Sequence, residues 1–522
     1  MRRHLEPVLA FSAAAYLALG CQTTGGSALG GTGGHTETNA STGVSSSGST
    51  GAGDETTSKV SDTAPLGTDP KADLAACLVT SDLSSPIFLS IPRARSMVSA
   101  TQVRGELAGL MPSLPLSSTL RGPELLNYYH FDYPAESATE LTVVPELHDT
   151  GVLGQMVLQI GIQAPPMDSA HRRPTSLTVL VDTTKSMEGE SMNRANAAVI
   201  ALSESLNKDD VLNVVTTDSD VAPVHRVATI AGDPALFPAD HPLKVSGAGD
   251  LARGLGRAYA AANAEGSYLA GGINRVVVIT DGGGLPASID TRPVNDSWIA
   301  RRIQLVGVGV GLAPSYRPEL LDAATGAGHG PNLYLDSVAE AEATLHRRFG
   351  EIMDEAFSDV SIGFQLPTVF KVVNPDSAGA GLGEGDLGRS DLGRGRSMVF
   401  RHAVSLCPSI DLMMLDPESM TVTVSWNDWT DPAVPVRQSK PFTFLFKKVP
   451  HTPSYPFLKT SVVIAFTNAL QSLQVPRFEA ACQKIADVHA AFPTHPADPE
   501  LDSIAAQINA HPIMVKNNKT CP

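Results

Sequence analysis

Short apolar runs rich in Val and Ile recur along the middle of the chain and alternate with stretches of helical spacing. The runs occupy residues 177–181, 211–215, 275–279 and 303–308. Continuous runs of this length are typical of parallel strands that are covered on both faces. Helical patterns lie between the first two runs and over residues 259–264 and 338–353. The alternation predicts an α/β fold with a doubly wound, mostly parallel sheet.

The regions on both sides of this block have a different pattern. Short segments rich in Thr, Val and aromatic residues are typical of strands, and they occupy 142–144, 155–162, 360–365, 397–405, 419–426 and 441–447. We therefore predict that one β-rich flanking domain, formed by residues 81–172 and 357–450, receives the α/β domain of residues 173–356 as an insertion. Residues 451–522 are predicted to form a helical C-terminal segment.

The first 21 residues have the pattern of a secretory signal. A basic start is followed by an apolar run over residues 8–19, which is too short to cross a bilayer as a helix. The run ends Leu17-Ala18-Leu19-Gly20-Cys21, which resembles the lipobox of bacterial lipoproteins. That resemblance implies a lipid on Cys21 and a location in the cell envelope, and Gln22 favours the outer membrane. An ordinary cleaved signal with an unmodified cysteine is the alternative.

Gly, Ser, Thr and Ala dominate from residue 22 to about residue 64. Such a composition offers too little apolar surface to offset the entropy of ordering, so we predict a disordered tether over residues 22–80. The chain has a formal net charge of −16, which argues against nucleic acid as a partner. If Cys21 is acylated, Cys77, Cys407, Cys482 and Cys521 remain, and we favour a Cys482–Cys521 disulfide over a Cys77–Cys407 disulfide.

Acidic residues stand where two of the predicted parallel strands end. Asp182 follows the run 177–181, and Asp281 follows the run 275–279 and Thr280. Ligands of open parallel sheets bind beyond the carboxyl ends of the strands. Carboxylate and hydroxyl oxygens together are the ligands that Mg²⁺ prefers, so a magnesium site is predicted at this edge.

These residues resemble the metal-ion-dependent adhesion site of the von Willebrand factor type A domain. The family has D-x-S-x-S after the first strand, a Thr in a later loop and an Asp after the fourth strand. Asp182, Ser186 and Asp281 match this pattern, and Thr184 keeps the hydroxyl of the remaining position. The resemblance implies that these four residues hold Mg²⁺ and that the domain binds another protein.

Two positions depart from the family pattern. Aligning Ala258-Tyr259 with the family places Gly249 where the metal-binding Thr is expected, and Asp250 is the candidate substitute. Lys185 replaces the usual Gly and adds a positive charge beside the site. We therefore weigh a working magnesium site against a site that has lost its metal.

The resemblance extends beyond the domain to a bacterial envelope subfamily, which has an extra N-terminal segment and a β-rich region after the type A domain. The matching stretches are Gly-Gly-Ile-Asn-Arg at 271–275, Glu-Leu-Leu-Asn-Tyr-Tyr at 124–129 and Phe-Asp-Tyr-Pro at 131–134. The aromatic stretch, with Asn127, Tyr128, Tyr129, Phe131 and Tyr133, is interpreted as a packing cluster, with a binding surface as the alternative.

The sequence favours a binding protein over an enzyme. It contains no H-E-x-x-H, no G-x-S-x-G and no P-loop motif. We therefore expect a lipid-anchored envelope protein that binds another protein through the type A domain, with Mg²⁺ as the cofactor. The alternative is a structural or scaffold protein of the envelope that uses no metal.

Overall fold

The computed structural model describes residues 87–89, 96–107, 120–137, 139–150, 155–167, 172–217, 225–228, 242–247, 249–283, 290–311, 316, 318–367, 369–372, 391–407, 419–428, 436–445, 449 and 452–521. The predicted signal, Cys21, the predicted tether and Cys77 lie outside these residues. All the described residues belong to one unit, Gly67–Pro522. No described helix is both long enough and apolar enough to cross a membrane.

The described residues before the α/β domain form three strands and two helices. In chain order these are β1 (Ile87–Leu89), α1 (Val98–Leu107), α2 (Gly122–Tyr128), β2 (Thr142–Asp149) and β3 (Gln155–Gln163). β2 and β3 pair antiparallel from Thr142 opposite Gln163 to Asp149 opposite Met156. β2 and β3 bury most of their side chains, which is why both read as strands in the sequence.

A six-stranded sheet forms the centre of the α/β domain. Its strands are β4 (Thr175–Val181), β5 (Val211–Thr216), β6 (His225–Ala228), β7 (Ile273–Thr280), β8 (Gln304–Gly309) and β9 (His329–Tyr334). The strand order is β6-β5-β4-β7-β8-β9, and only the pairing of β5 with the edge strand β6 is antiparallel. The predicted fold class, a doubly wound and mostly parallel sheet, is therefore confirmed. The sequence analysis missed β6 and β9.

Helices cover both faces of this sheet. They are α3 (Glu190–Glu204), α4 (Leu251–Asn263), α5 (Arg292–Arg301), α6 (Pro318–Gly328), α7 (Val338–Ala341) and α8 (Phe349–Met353). A π-helical turn over Glu342–His346 lies between α7 and α8, so the helix predicted over 338–353 is interrupted. Val179 belongs to the apolar core on one face of the sheet and Leu180 to the core on the other. Burial on both faces explains the continuous apolar runs.

The six strands described after the α/β domain complete two antiparallel sheets. They are β10 (Glu355–Gln365), β11 (Phe370–Val372), β12 (Leu392–Gly393), β13 (Ser397–Leu406), β14 (Ser419–Asp428) and β15 (Val436–Leu445). One sheet has the order β11-β13-β3-β2, and the other has β1-β10-β14-β15 with β12 paired to β10. Strands from before and after the α/β domain share each sheet, which confirms the predicted insertion.

The two ends of the inserted α/β domain lie next to each other, where they join the β-rich part. Arg173, just before β4, has a guanidinium nitrogen 2.5 Å from Asp354 Oδ1, just before β10. Arg394 Nε lies 3.0 Å from the other oxygen of the same carboxylate, and Asp354 is almost fully buried. These three residues, which we call the neck, join the two ends of the inserted domain.

The C-terminal segment is helical, as predicted. It consists of α9 (Tyr455–Ser472), α10 (Val475–Ala491), α11 (Pro499–Ala510) and α12 (Pro512–Lys516). The favoured disulfide is confirmed, since Cys482 and Cys521 are bonded with their Cα atoms 5.1 Å apart. Cys407 is also disulfide-bonded, and its partner lies outside the described residues.

The aromatic cluster is a packing cluster. Asn127, Tyr129, Phe131 and Tyr133 are 1–6% exposed, and the three aromatic rings pack in one core with side chains of the C-terminal helices. A Cβ on Gly161 of β3 would lie 2.2 Å from the Tyr133 ring, so the ring packs directly on the backbone of that strand. Tyr128, the fifth residue of the stretch, is half-buried and packs against the same core, so the stretch fits a packing cluster better than a binding surface.

Candidate functional site

Two aspartates lie directly after neighbouring parallel strands, at the point where the order of the strands reverses. Asp182 follows β4 and Asp281 follows β7, and the chain crosses from β4 to β5 on one side and from β7 to β8 on the other. Both residues are almost completely buried, with exposed fractions of 0% and 1%. The Asp182 backbone N–H donates to Ile279 O at 2.9 Å, so the pairing of the two strands continues past their ends. This is the switch point at which open parallel sheets bind their ligands.

Four side-chain oxygens form a continuous series between the two aspartates. Thr184 Oγ1 donates to Asp182 Oδ1 at 2.7 Å and lies 3.1 Å from Ser186 Oγ. Ser186 Oγ in turn donates to Asp281 Oδ1 at 3.1 Å. A 3₁₀ turn over Lys185–Met187 curls the loop, and the fully buried Met187 side chain anchors it in the core. The structure thus brings together Asp182, Thr184, Ser186 and Asp281, the four residues that match the resemblance directly.

Neighbouring donors satisfy three of the four carboxylate oxygens. Asp182 Oδ1 also accepts from Thr184 N at 2.9 Å, and Asp182 Oδ2 accepts from Thr280 Oγ1 at 2.7 Å. Asp281 Oδ1 accepts from Gly283 N at 2.8 Å, whereas Asp281 Oδ2 is buried and has no hydrogen-bond partner among the described residues. Burial raises the pKa of Asp281, and the negative charge of Asp182 contributes to the increase. Among the described residues, no Lys or Arg side chain forms an ion pair with either aspartate.

The spacing of the oxygens fits a small divalent cation. Octahedral Mg²⁺ binds oxygen at about 2.1 Å, which sets adjacent ligand oxygens about 3 Å apart. The three separations along the series are 2.7, 3.1 and 3.1 Å. A cation would also provide a partner for Asp281 Oδ2, the one orphaned oxygen of the pair. The residues present therefore fit the predicted magnesium ion.

The structure assigns Asp250 a different role from the predicted substitute ligand. Asp250 is the N-cap of α4, and its Oδ1 accepts from Arg253 N at 3.0 Å. Its side chain is 56% exposed, and within the described residues it makes no hydrogen bond with the four clustered residues. A cap satisfies free N–H groups of the first helical turn, so the start of the helix sets the direction of this carboxylate. Lys185 is exposed on the loop surface.

Two threonines at strand ends support the site, and the sequence analysis missed both. Thr280, the last residue of β7, donates to Asp182 Oδ2 and accepts from Gly282 N at 2.9 Å. Thr217, one residue beyond β5, accepts from Thr183 N at 2.9 Å through its hydroxyl. Both threonines follow closely after apolar runs in the sequence, as the two aspartates do, and this position could have identified them.

One further group of metal-ligating side chains occurs among the described residues. Donor atoms of Glu204, Glu342 and His346 lie within 4.8 Å of one another, and His346 Nδ1 is 2.9 Å from Ser205 Oγ. Glu204 ends α3, whose 15 residues span about 21 Å, so this group lies far from the loop at Asp182. Its members are exposed or half-buried, unlike the buried aspartates.

Comparison with known proteins gives distant relatives. No protein-family model matches the chain. The uncharacterized protein sll0103 of Synechocystis sp. is 23% identical over 214 residues, which are 41% of this chain and 50% of that protein. The uncharacterized protein YfbK of Escherichia coli is 25% identical over 265 residues, or 47% and 45% of the two chains. The chain thus spans about half the length of the curated relatives it matches.

Solved structures with similar folds include type A domains. A von Willebrand factor type A protein from Catenulispora acidiphila is 14% identical with a TM-score of 0.37, and the match covers 74% of this chain and 89% of that one. The ArnB paralog VWA2 from Sulfolobus acidocaldarius is 12% identical with a TM-score of 0.32, covering 72% and 96%. The pilus adhesin SpaC from Lactobacillus rhamnosus GG is 14% identical with a TM-score of 0.27, covering 60% and 48%.

The strand order and the connections of the central sheet define the fold of the inserted domain. The sheet is parallel except for the edge strand β6. A D-x-T-x-S loop, with Asp182, Thr184 and Ser186, follows β4. The inserted domain accordingly has the doubly wound, mostly parallel α/β fold that the resemblance to type A domains implies.

Proposed function

We propose that this chain is a lipid-anchored protein of the bacterial cell envelope that binds another protein through a Mg²⁺ ion at the site of Asp182 and Asp281. The observation that supports the metal most directly is the buried Asp281 Oδ2, which has no partner among the described residues although it lies beside a second buried carboxylate. The lipid anchor rests on the signal and Cys21 in the sequence. The favoured location is the outer membrane.

The ion would be held by Asp182, Thr184, Ser186 and Asp281, and when bound it supplies a Lewis-acidic position open to a partner. Mg²⁺ usually keeps several waters beside one or two protein carboxylates. Thr184 is half-buried and Ser186 is exposed, so the outer side of the site faces solvent and a partner's carboxylate can reach it.

Binding fits the site better than catalysis does. Hydroxyls and backbone N–H groups surround the two aspartates, and within the described residues no histidine or cysteine makes a hydrogen bond with them. A general acid or base must stand within hydrogen-bond reach of the reacting group. We therefore propose that the protein is not an enzyme.

Thermal or chemical unfolding of the full chain with chelator and then with Mg²⁺ or Mn²⁺ tests the metal site. At a hundredfold excess over the dissociation constant, the ion should raise the free energy of unfolding by about 2.7 kcal/mol. The Asp182→Ala variant should show no increase. Glu342→Gln is the matched control, since it changes the other carboxylate group and should leave the increase intact.

A wild-type chain that gains no stability from either ion would contradict the metal site. The alternative, a scaffold protein that uses no metal, would then be favoured. The exposed Lys185 beside the site and the missing side chain at Gly249 are the two features that favour this alternative.

A further inference from the structure

Thr217 occupies a special position beside the candidate metal site. In the β4–β5 pairing Val181 is opposite Thr216, and Thr217 N donates to Val181 O at 3.2 Å. The ladder therefore continues for one residue past β5, which places Thr217 next to Asp182. Thr217 is 3% exposed, so its hydroxyl is removed from water and must find partners in the protein.

The hydroxyl of Thr217 holds the peptide that follows Asp182. Thr217 Oγ1 accepts from Thr183 N at 2.9 Å and lies 3.1 Å from Thr183 Oγ1. That peptide leads directly to Thr184, whose N–H and hydroxyl both bind Asp182 Oδ1. The orientation of this loop, and with it the position of two of the proposed ligands, depends on the Thr217 contact.

The same side chain explains the glycine at position 249. A Cβ on Gly249 would lie 2.5 Å from Thr217 Oγ1, 2.9 Å from Thr217 Cβ and 3.1 Å from Thr184 Cγ2. Real Cβ atoms do not approach other atoms at the first two distances, so no side chain fits here while Thr217 is present. The backbone on both sides is fixed, since Ser246 N donates to Thr183 O at 3.0 Å and Asp250 N donates to Thr217 O at 3.4 Å.

We propose that Thr217 and Gly249 form a coupled pair, in which Thr217 fills the space of the missing side chain and positions the Asp182–Ser186 loop for a metal ion. Thr217 is a positioning residue, because its contacts are with the loop that bears the ligands. This inference rests on the proposed function, since it assumes that the strand-end site binds a divalent cation. The loss of a side chain at position 249 is then a rearrangement of the site that leaves its metal affinity in place.

Binding of Mn²⁺ to the full chain, measured by calorimetry or by the loss of the free-ion electron paramagnetic resonance signal, tests the Thr217 hydroxyl. Thr217→Val keeps the shape and removes the hydroxyl, and it should weaken Mn²⁺ binding by about tenfold or more, as loss of a positioning hydrogen bond commonly does. Thr217→Ser keeps the hydroxyl and should bind within about threefold of wild type. A purely structural role predicts lower stability with chelator in Thr217→Val and an unchanged Mn²⁺ affinity.

The coupling is tested by a double-mutant cycle. Gly249→Thr alone should lower the melting temperature and abolish the Mn²⁺ response because of the clash. Gly249→Thr combined with Thr217→Gly removes the obstructing Cβ as well as the hydroxyl, so it should recover the melting temperature and regain Mn²⁺ binding to about the level of Thr217→Val, above that of Gly249→Thr alone.

The outcomes separate the two proposals. A wild-type chain without Mn²⁺ binding contradicts the proposed function and this inference with it. A wild-type chain that binds Mn²⁺, beside a Thr217→Val variant of equal affinity or a Gly249→Thr variant that is tolerated, contradicts only the inference. If Thr217→Val does not fold, the Gly249→Thr variants decide, because recovery in the double variant supports the coupling and its failure overturns it.

Discussion

Two pairs of buried carboxylates lie at the same edge of the parallel sheet, and among the described residues only one pair is bound by an arginine. Asp336 and Glu340 follow β9, and each is 5% exposed. Arg104 of α1 binds Asp336 through two nitrogens at 2.6 and 2.7 Å and Glu340 at 2.6 Å. Asp182 and Asp281 are buried even more deeply, yet within the described residues neither forms an ion pair with Lys or Arg.

The difference indicates what each pair is for. Arg104 also donates to Tyr128 Oη at 3.0 Å, so a permanent cation joins the segment before the α/β domain to the end of β9. Buried carboxylates are tolerated when they are paired and hydrogen-bonded. At the strand ends of β4 and β7 the fold supplies hydroxyls and N–H groups and no permanent cation. An exchangeable cation would complete that pair and leave one side open to a partner.

Removal of the permanent cation should have the largest effect on stability. Arg104→Met leaves two carboxylates buried without a counter-charge, and it should lower the free energy of unfolding by about 3 kcal/mol. Denaturant unfolding near neutral pH measures the change. Arg292→Met is the control, because that residue forms an exposed ion pair with Asp290 and its loss should leave the stability unchanged. An equal effect of both substitutions would show that the buried pair has no special role.

The second prediction concerns the strand-end pair and has two parts of opposite sign. Asp281→Asn removes a buried charge while it keeps an acceptor oxygen for Gly283 N and Ser186 Oγ. With chelator present the variant should be more stable than wild type, because burial and Asp182 disfavour the charged form of Asp281. The stabilisation of about 2.7 kcal/mol by excess Mg²⁺ should disappear. If Asp281→Asn is less stable than wild type in the presence of chelator, the charged form of Asp281 is already stabilised without a cation, which contradicts this prediction.

The third prediction concerns Glu106, a carboxylate that, within the part of the chain the structure describes, pairs with no arginine and belongs to no candidate metal site. Glu106 lies two residues after Arg104, and its Oε2 is buried with no hydrogen-bond partner among the described residues. Burial raises the pKa of Glu106 from 4.5 to about 7. Because the folded chain then holds the proton more tightly than the unfolded chain, the stability decreases as the pH rises from 4.5 to about 7 and is constant above that range.

Glu106→Gln should therefore be more stable than wild type at pH values above about 7, by about 1 kcal/mol after allowance for its partial exposure to water. The advantage should vanish towards the low end of this window, where both chains carry a neutral side chain. Unfolding curves across the pH range measure it, with the exposed Glu188→Gln as the control. If the free energies of unfolding of Glu106→Gln and wild type differ by the same amount at every pH, the effect comes from packing and the pKa of Glu106 plays no part.

Much of the fold could be predicted because the sheet of the α/β domain is covered on both faces. β4, β5, β7 and β8 need apolar side chains at nearly every position, so each leaves a run in the sequence. The edge strands do not. β9 begins His-Gly-Pro-Asn and β6 has four residues, so neither has an apolar pattern that stands out. The π turn between α7 and α8 could not be predicted either, because the apolar residues keep their helical spacing across it.

The residues of the candidate site could be predicted only where they directly follow a predicted strand or belong to the loop motif. Asp182 and Asp281 stand next to apolar runs, and the loop motif adds Thr184 and Ser186. The N-cap role of Asp250 was not expected because the predicted helical pattern begins at residue 259, whereas α4 begins at Leu251. Such a cap depends on where the first turn starts, which apolar spacing defines poorly.

The neck of Arg173, Asp354 and Arg394 has a mechanical consequence. Both ends of the inserted domain are held at one buried carboxylate, and nine register pairs join β3 to β13 beside it. Tension along the chain meets these ion pairs and antiparallel ladders before it reaches β4 or β9. A pull on the segments that flank the inserted domain would therefore load the neck and the β3–β13 ladder, and these contacts must break before the two ends of the domain can separate.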